Sequence, residues 1–190
     1  MNGPFTFRET PLSGCIEIAS VLQRDVRGHF VKTLHKDHFQ AQGIRWSYAE
    51  QYYSVSRRGT LRGMHFQLPP HDHDKLVYCA AGSILDVALD LRVGSPSYRQ
   101  AMGIELTADN GRLLFIPAGL AHGFYALTDD AIVVYNVSSV YAPEHDAGVL
   151  WSSFGFAWPD SQPIISDRDT HHPALQDFTS PFHYSNPPKL

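Results

Sequence analysis

Short runs of alternating apolar and polar residues recur along most of this chain, and they restrict its fold more than any other feature. In 83–91, Leu85, Val87, Leu89 and Leu91 share one face while Asp86 and Asp90 share the other. That is the period of a half-buried strand. The run 131–138 repeats it with Val133, Tyr135 and Val137. Further strands are predicted over 29–34, 46–55, 60–67, 76–80, 101–107, 112–116 and 123–127, separated by Gly, Pro, Asp and Asn. Helical periodicity is scarce; Asp37 could cap one short turn to about Gln42, stopped by Gly43. Many short strands at regular spacing mean a sandwich or a barrel.

The 190 residues are expected to form a single domain, with an irregular tail from about 170 that carries Pro173 and Pro181 and lacks periodicity. A net charge of -4 argues against a nucleic-acid platform, which would carry a basic face. No apolar run approaches the ~20 residues of a membrane helix, and the first eight residues lack a signal-peptide pattern. Two cysteines, Cys15 and Cys79, form neither a disulfide framework nor a CxxC metal site. A cytoplasmic protein with reduced thiols is expected.

Gly111, Pro117, Gly119 and His122 stand at the spacing G-x5-P-x-G-x2-H. This resembles the second motif of the cupins, whose fold is a jelly-roll barrel (a double-stranded β-helix). A strand, a Pro-Gly turn and a second strand would send His122 into the barrel. Metal-binding cupins also carry H-x-H followed by Glu. His71 and His73 supply the first part, but Val77 and Tyr78 occupy the acidic position. Three histidines alone can hold zinc or iron, so a metal-dependent enzyme using His71, His73 and His122 stays open as an alternative.

A longer series is more specific. It comprises Leu61-Arg62-Gly63-Met64-His65-Phe66-Gln67, Lys75-Leu76-Val77, Asp86-Val87, Asp90-Leu91-Arg92 and Ile116-Pro117-Ala118-Gly119-Leu120-Ala121-His122-Gly123-Phe124. Tyr135, Tyr141-Ala142-Pro143-Glu144, Trp158-Pro159 and Ser166-Asp167-Arg168-Asp169 follow. In order and spacing it resembles the dTDP-4-dehydrorhamnose 3,5-epimerase family, a metal-free branch of the cupins. The resemblance implies epimerisation of a nucleotide-linked 4-keto-6-deoxyhexose at C3, C5 or both, without a cofactor, by a homodimer in which one subunit's N-terminal region reaches its neighbour's site. It implies His65 as general base with Asp169 bonded to it, Lys75 near the keto oxygen, and Tyr135 as the acid on the opposite face. Arg62, His122 and Arg27 would hold the nucleotide sugar, and Tyr141 would stack on the base. The residue types suit that chemistry. A proton beside a ketone needs a base that titrates near neutrality, a cation for the enolate, and a second acid for inversion.

Several ligand-reading positions depart from the family pattern. The N-terminal D-x-R-G-x-F-x-E appears as Asp25-Val26-Arg27-Gly28-His29-Phe30-Val31-Lys32, and the usual glutamine and asparagine of the next strand are Glu50 and Tyr52. Asp146 and Arg168 stand where glutamate and lysine are common. Lysine only donates hydrogen bonds, so Lys32 suits the acceptors of cytosine better than the N3–H of thymine. A CDP-linked sugar, or inversion at one carbon only, is therefore a variant reading. A non-catalytic sugar-nucleotide binder is a third class.

Overall fold

The computed structural model describes residues 3–185. Two antiparallel sheets face each other. One runs in the order β1 (Phe5–Glu9), β2 (Ile16–Ser20), β10 (Arg112–Ile116), β7 (Lys75–Ala81), β12 (Ala131–Val137) and β5 (Glu50–Ser56). The other runs β13 (Asp146–Gly148), β6 (Leu61–Gln67), β11 (Leu120–Ala126), β8 (Ser83–Asp90) and β9 (Ala101–Thr107). Strands β3 (Leu22–Asp25) and β4 (Gly28–Val31) pair with each other as a hairpin apart from both sheets. The all-β jelly-roll expectation holds. Among the described residues, helix is confined to α1 (Lys36–Ala41), α2 (Asp167–Thr170) and two 3₁₀ turns. None is long and apolar enough to cross a membrane.

Three apolar clusters hold the layers together. The inner one joins both sheets, with Val77, Leu114, Val133 and Val137 from the first meeting Ile84, Ala88, Leu106 and Phe124 from the second. A second covers the outer face of the five-stranded sheet, where Val87, Leu89 and Leu91 pack beneath Leu175 and Phe182, with Phe156, Trp158 and Phe178 beside them. The third seats α1 against the outer face of the six-stranded sheet through Phe39, Ile18 and Phe115. Cys15 and Cys79 are buried and unpaired.

This layering corrects the reading of 83–91. The apolar face is the outer one, shielded by the chain after β13, whereas Asp86 and Asp90 are fully buried. Each carboxylate is met by a cation or an imidazole. Asp90 accepts from Arg92, Ser95 and Ser97, and Asp86 faces His122. A buried charge needs such partners. From about 170 the chain runs over the outer face of the five-stranded sheet, where His183 bridges to Val93; 186–190 lie outside the described residues.

Other boundaries shift. His35 occupies the N-cap position of α1 without a side-chain capping bond, and Asp37 lies within the first turn, where its charge complements the helix dipole. Gly43 (φ 65°) follows the helix in a left-handed turn, as expected of a stop. The strand foreseen over 29–34 shortens to Gly28–Val31, and that over 46–55 starts at Glu50. Where β6 meets β11, a Cβ on Gly63 would lie 2.6 Å from the Gly123 Cα, so the two backbones approach as only glycines permit. The ladder shifts register between His122 and Phe124, beside the cross-strand pair His122 and His65. Such an irregularity re-aims neighbouring side chains.

Candidate active site

Between the sheets opens a cavity of about 1030 Å³. One wall belongs to the five-stranded sheet, with Arg62 and His65 on β6, His122 on β11 and Asp146 on β13. The opposite wall belongs to the six-stranded sheet, with Glu50 and Tyr52 on β5, Lys75 on β7 and Tyr135 on β12. Helix α2 closes one end with Arg168 and Asp169, and Tyr141 lies beside Glu50. The Ser166 hydroxyl caps α2 by accepting from the Asp169 N–H at 3.2 Å, which fixes the position of that carboxylate.

His65 Nε2 lies 2.8 Å from Asp169 Oδ1, a pairing across 104 positions. The Gly63 N–H donates to the second carboxylate oxygen at 3.2 Å. Burial alone would raise the Asp169 carboxyl; His172, His65 and Gly63 outweigh it and hold the group well below the usual carboxylate range. Arg168 Nε donates to Asp169 Oδ1 at 3.1 Å, and its Nη2 sits 2.7 Å from His65 Nε2. One ring nitrogen cannot donate to Asp169 and accept from Arg168 together. The buried carboxylate requires a donor, whereas Arg168 is half exposed and has Asp146 at 2.6 Å. The proton therefore belongs on Nε2, leaving the lone pair on Nδ1.

Burial lowers the His65 pKa below that of ordinary imidazole; Asp169 partly restores it, and the Arg168 and Lys75 charges push it down again. Lys75 is buried, and its Nζ donates to the His65 carbonyl at 3.1 Å, crossing from one wall to the other. Burial brings its pKa down to about 8, against the pull of Asp146 and Asp86. Burial also raises the Tyr135 phenol, which stays protonated at neutral pH. The Tyr135 ring stacks on Tyr52 at 4.9 Å and meets His122 edge-on at 5.9 Å, and its hydroxyl lies 3.4 Å from Ser54 Oγ. Arg62 donates to Ser56 and to the Val55 carbonyl, which ties the two sheets together at the rim.

Two expected ligand residues are elsewhere. Arg27 sits at the turn of the β3–β4 hairpin, exposed and paired with Asp25, and Lys32 follows β4 with its side chain exposed. Neither lines this cavity. The hairpin pairs with neither sheet, so within one chain it cannot bring them there. The argument from Lys32 to cytosine thus has no footing in a single chain. Nor do His71, His73 and His122 converge. His71 packs on His145 at 4.4 Å, His73 bonds Ser139 and Gln67, and His122 Nε2 is 2.7 Å from Asp86. Burial and the Lys75 charge bring His73 down to about 3, so it is neutral. Sequence pattern alone does not reveal the partners that orient the site. Asp86 is one, because its alternation reads as a solvent face; Ser54, Ser56 and His172 carry no pattern.

The comparisons with known proteins decide the lineage of this cavity. The family model for dTDP-4-dehydrorhamnose 3,5-epimerase matches residues 9–177. This chain belongs to that family. An epimerase of that name from Methanothermobacter thermautotrophicus is 39% identical over 178 residues, which is 91% of this chain and 96% of the relative. The structure is similar to a dTDP-6-deoxy-D-glucose-3,5-epimerase of Legionella pneumophila in complex with dTDP-4-keto-L-rhamnose. The TM-score is 0.89 at 30% identity, covering 95% of this chain and all of that one (100%). It is also similar to a 3'-monoepimerase of Streptomyces bikiniensis in complex with dTDP-quinovose, with a TM-score of 0.82 at 34% identity, covering 88% and 86% of the two chains. The chain is thus similar both to a protein described as a 3,5-epimerase and to one described as a 3'-monoepimerase.

Proposed function

We propose that this protein epimerises a dTDP-linked 4-keto-6-deoxyhexose at one or both carbons flanking the C4 ketone. The observation that carries this reading is the placement of His65 and Tyr135 on opposite sheets of one cavity, with the Lys75 ammonium spanning the gap. His65 Nδ1 takes the proton from the carbon beside the ketone, and the electron pair of that C–H bond moves into the carbonyl. Lys75 holds the resulting enolate oxygen; preorganised donors of this kind contribute about 3 kcal/mol. Asp169 accepts the hydrogen bond from Nε2 and stabilises the imidazolium that forms. The Tyr135 hydroxyl then delivers a proton to the other face as the enolate collapses, and solvent restores both groups. No metal or cofactor takes part in these steps. Arg62, His122 and Arg168 supply donors for the sugar and diphosphate, while Glu50, Tyr52, Tyr141 and Asp146 form the nucleoside end.

The active form in this reading is a homodimer. The hairpin β3–β4, with Val26 and Phe30 exposed, reaches the neighbour's cavity and carries Arg27 and Lys32 to its diphosphate. Cations at that end fit a phosphate better than they fit thymine.

Incubation in D2O with dTDP-linked and CDP-linked 4-keto-6-deoxyglucose, followed by NMR, tests the assignment. Deuterium is expected at C3, C5 or both of the dTDP sugar, and the labelled position identifies the regiochemistry. No label in either sugar rejects the epimerase reading; label in the CDP sugar alone rejects the nucleotide.

The pH dependence of kcat/KM follows from the two displaced groups. His65 must be neutral, so activity rises as pH climbs through a pKa below the ordinary ~6.5 of imidazole. Lys75 must be charged, so activity falls as pH climbs through about 8. An alkaline limb absent up to pH 10 would remove Lys75 from its role.

A further inference from the structure

His172 stands just after α2 and takes no part in the steps above. Its ring meets His65 edge-on at 5.7 Å, and its Nε2 lies 3.7 Å from Asp169 Oδ1. That nitrogen is buried and has no hydrogen-bond partner among the described residues. The ring is seated by Gly148, where a Cβ would come within 2.5 Å of His172 Nε2. One ligand atom each from His65, Asp169 and His172 falls within 4.8 Å of the other two. Tetrahedral zinc, with bonds of about 2.0–2.2 Å, places its ligand atoms roughly 3.4 Å apart. The widest separation must close by up to about 1.4 Å, about 0.7 Å per residue, for the three to surround one ion.

We propose that His65, Asp169 and His172 form a zinc-class divalent cation site that competes with catalysis. Two neutral imidazoles and one carboxylate are a borderline donor set that favours Zn²⁺ or Co²⁺ over Mg²⁺ and Ca²⁺. Completing four-coordination needs a water from the cavity side, which His65 and Asp169 line. A resident cation already plugs the place. The Arg168 guanidinium touches both Asp169 Oδ1 and His65 Nε2, and its outward anchor is Asp146. Being half exposed, Arg168 can swing to solvent, and the ion then takes its place on the buried Asp169 carboxylate. Lys75, the other nearby cation, is held on the facing wall by the His65 carbonyl. With a metal on Nε2, the ring proton must move to Nδ1, and His65 has no lone pair to offer a C–H bond. Metal loading and proton abstraction therefore exclude each other. The binding claim stands without the epimerase reading, and only the inhibition rests on it.

The test uses the full chain, stripped of metal and titrated with Zn²⁺ by calorimetry and with Co²⁺ by visible absorption. One ion per chain is expected, with the intense bands of four-coordinate Co²⁺. His172→Phe, which keeps a ring against Gly148, should weaken binding by ~10–100-fold or more. Arg168→Ala should tighten it by about tenfold or more, because a competing charge is gone. In the deuterium assay, zinc should stop exchange by wild type and EDTA should restore it, while the exchange that His172→Phe retains, whatever its rate, should not respond to zinc. The proposal is overturned by the absence of binding at 1 mM metal, or by binding that His172→Phe leaves unchanged, which would place the ion on other histidines. Metal bound as expected in a protein that exchanges nothing would leave the site standing and sink the epimerase reading instead.

Discussion

Asparagine in place of His65 is expected to lower kcat by ~10²–10⁴, the range that a positioned acid or base supplies, and to stop deuterium uptake under single-turnover conditions. Asparagine keeps a donor for Asp169, so the carboxylate is not stranded, yet it has no titrating nitrogen. His65 is partly exposed at the cavity wall, and little apolar packing is lost. A melting temperature close to wild type should accompany the lost exchange and exclude unfolding as its cause. Exchange at a tenth of the wild-type rate or faster would show that another group takes the proton, and the mechanism would need a new base.

Phenylalanine at position 135 should have an effect of similar size on inversion and a much smaller one on exchange. The substitution removes one oxygen from a buried ring that is stacked on Tyr52 and edge-on to His122, so the packing survives. His65 still removes the proton and Lys75 still holds the enolate. Without the phenol, the imidazolium on the face that was deprotonated is left to return the proton to carbon. The sugar should therefore acquire deuterium with its configuration retained, while inversion falls by ~10²–10⁴. NMR separates these outcomes, because label and stereochemistry are read from the same resonances. Inversion at the wild-type rate would assign the second acid to another residue. The experiment also tests whether the two walls of the cavity address opposite faces of the ring.

The central strands were legible because alternation, β-branched residues and turn punctuation agree there. The first two strands were not. Phe5–Glu9 and Ile16–Ser20 are short; they pair with each other, and the pair joins the sheet only through the distant 112–116 segment, which no local window contains. Strand β13 is three residues long and has no pattern at all. The inverted reading of 83–91 has a physical reason. Alternation says that two faces differ, not which is inside, and here the interior face is acidic because it answers Arg92 and His122. In the site, the resemblance named residues that spacing could not join, and the fold brings most of them to one cavity. Arg27 and Lys32 do not join it, because their hairpin pairs with neither sheet.

The covering of β8 by the chain after β13 bears on how the molecule is made. That same late segment brings Ser166, Asp169 and the lid of Leu175, Phe178 and Phe182. A nascent or clipped polypeptide ending before Ser166 would show a naked stripe of Val87, Leu89 and Leu91 and would lack the carboxylate that orients His65. Such a fragment would be adhesive and inert at once, offering quality-control proteases a greasy handle before it could act on any sugar.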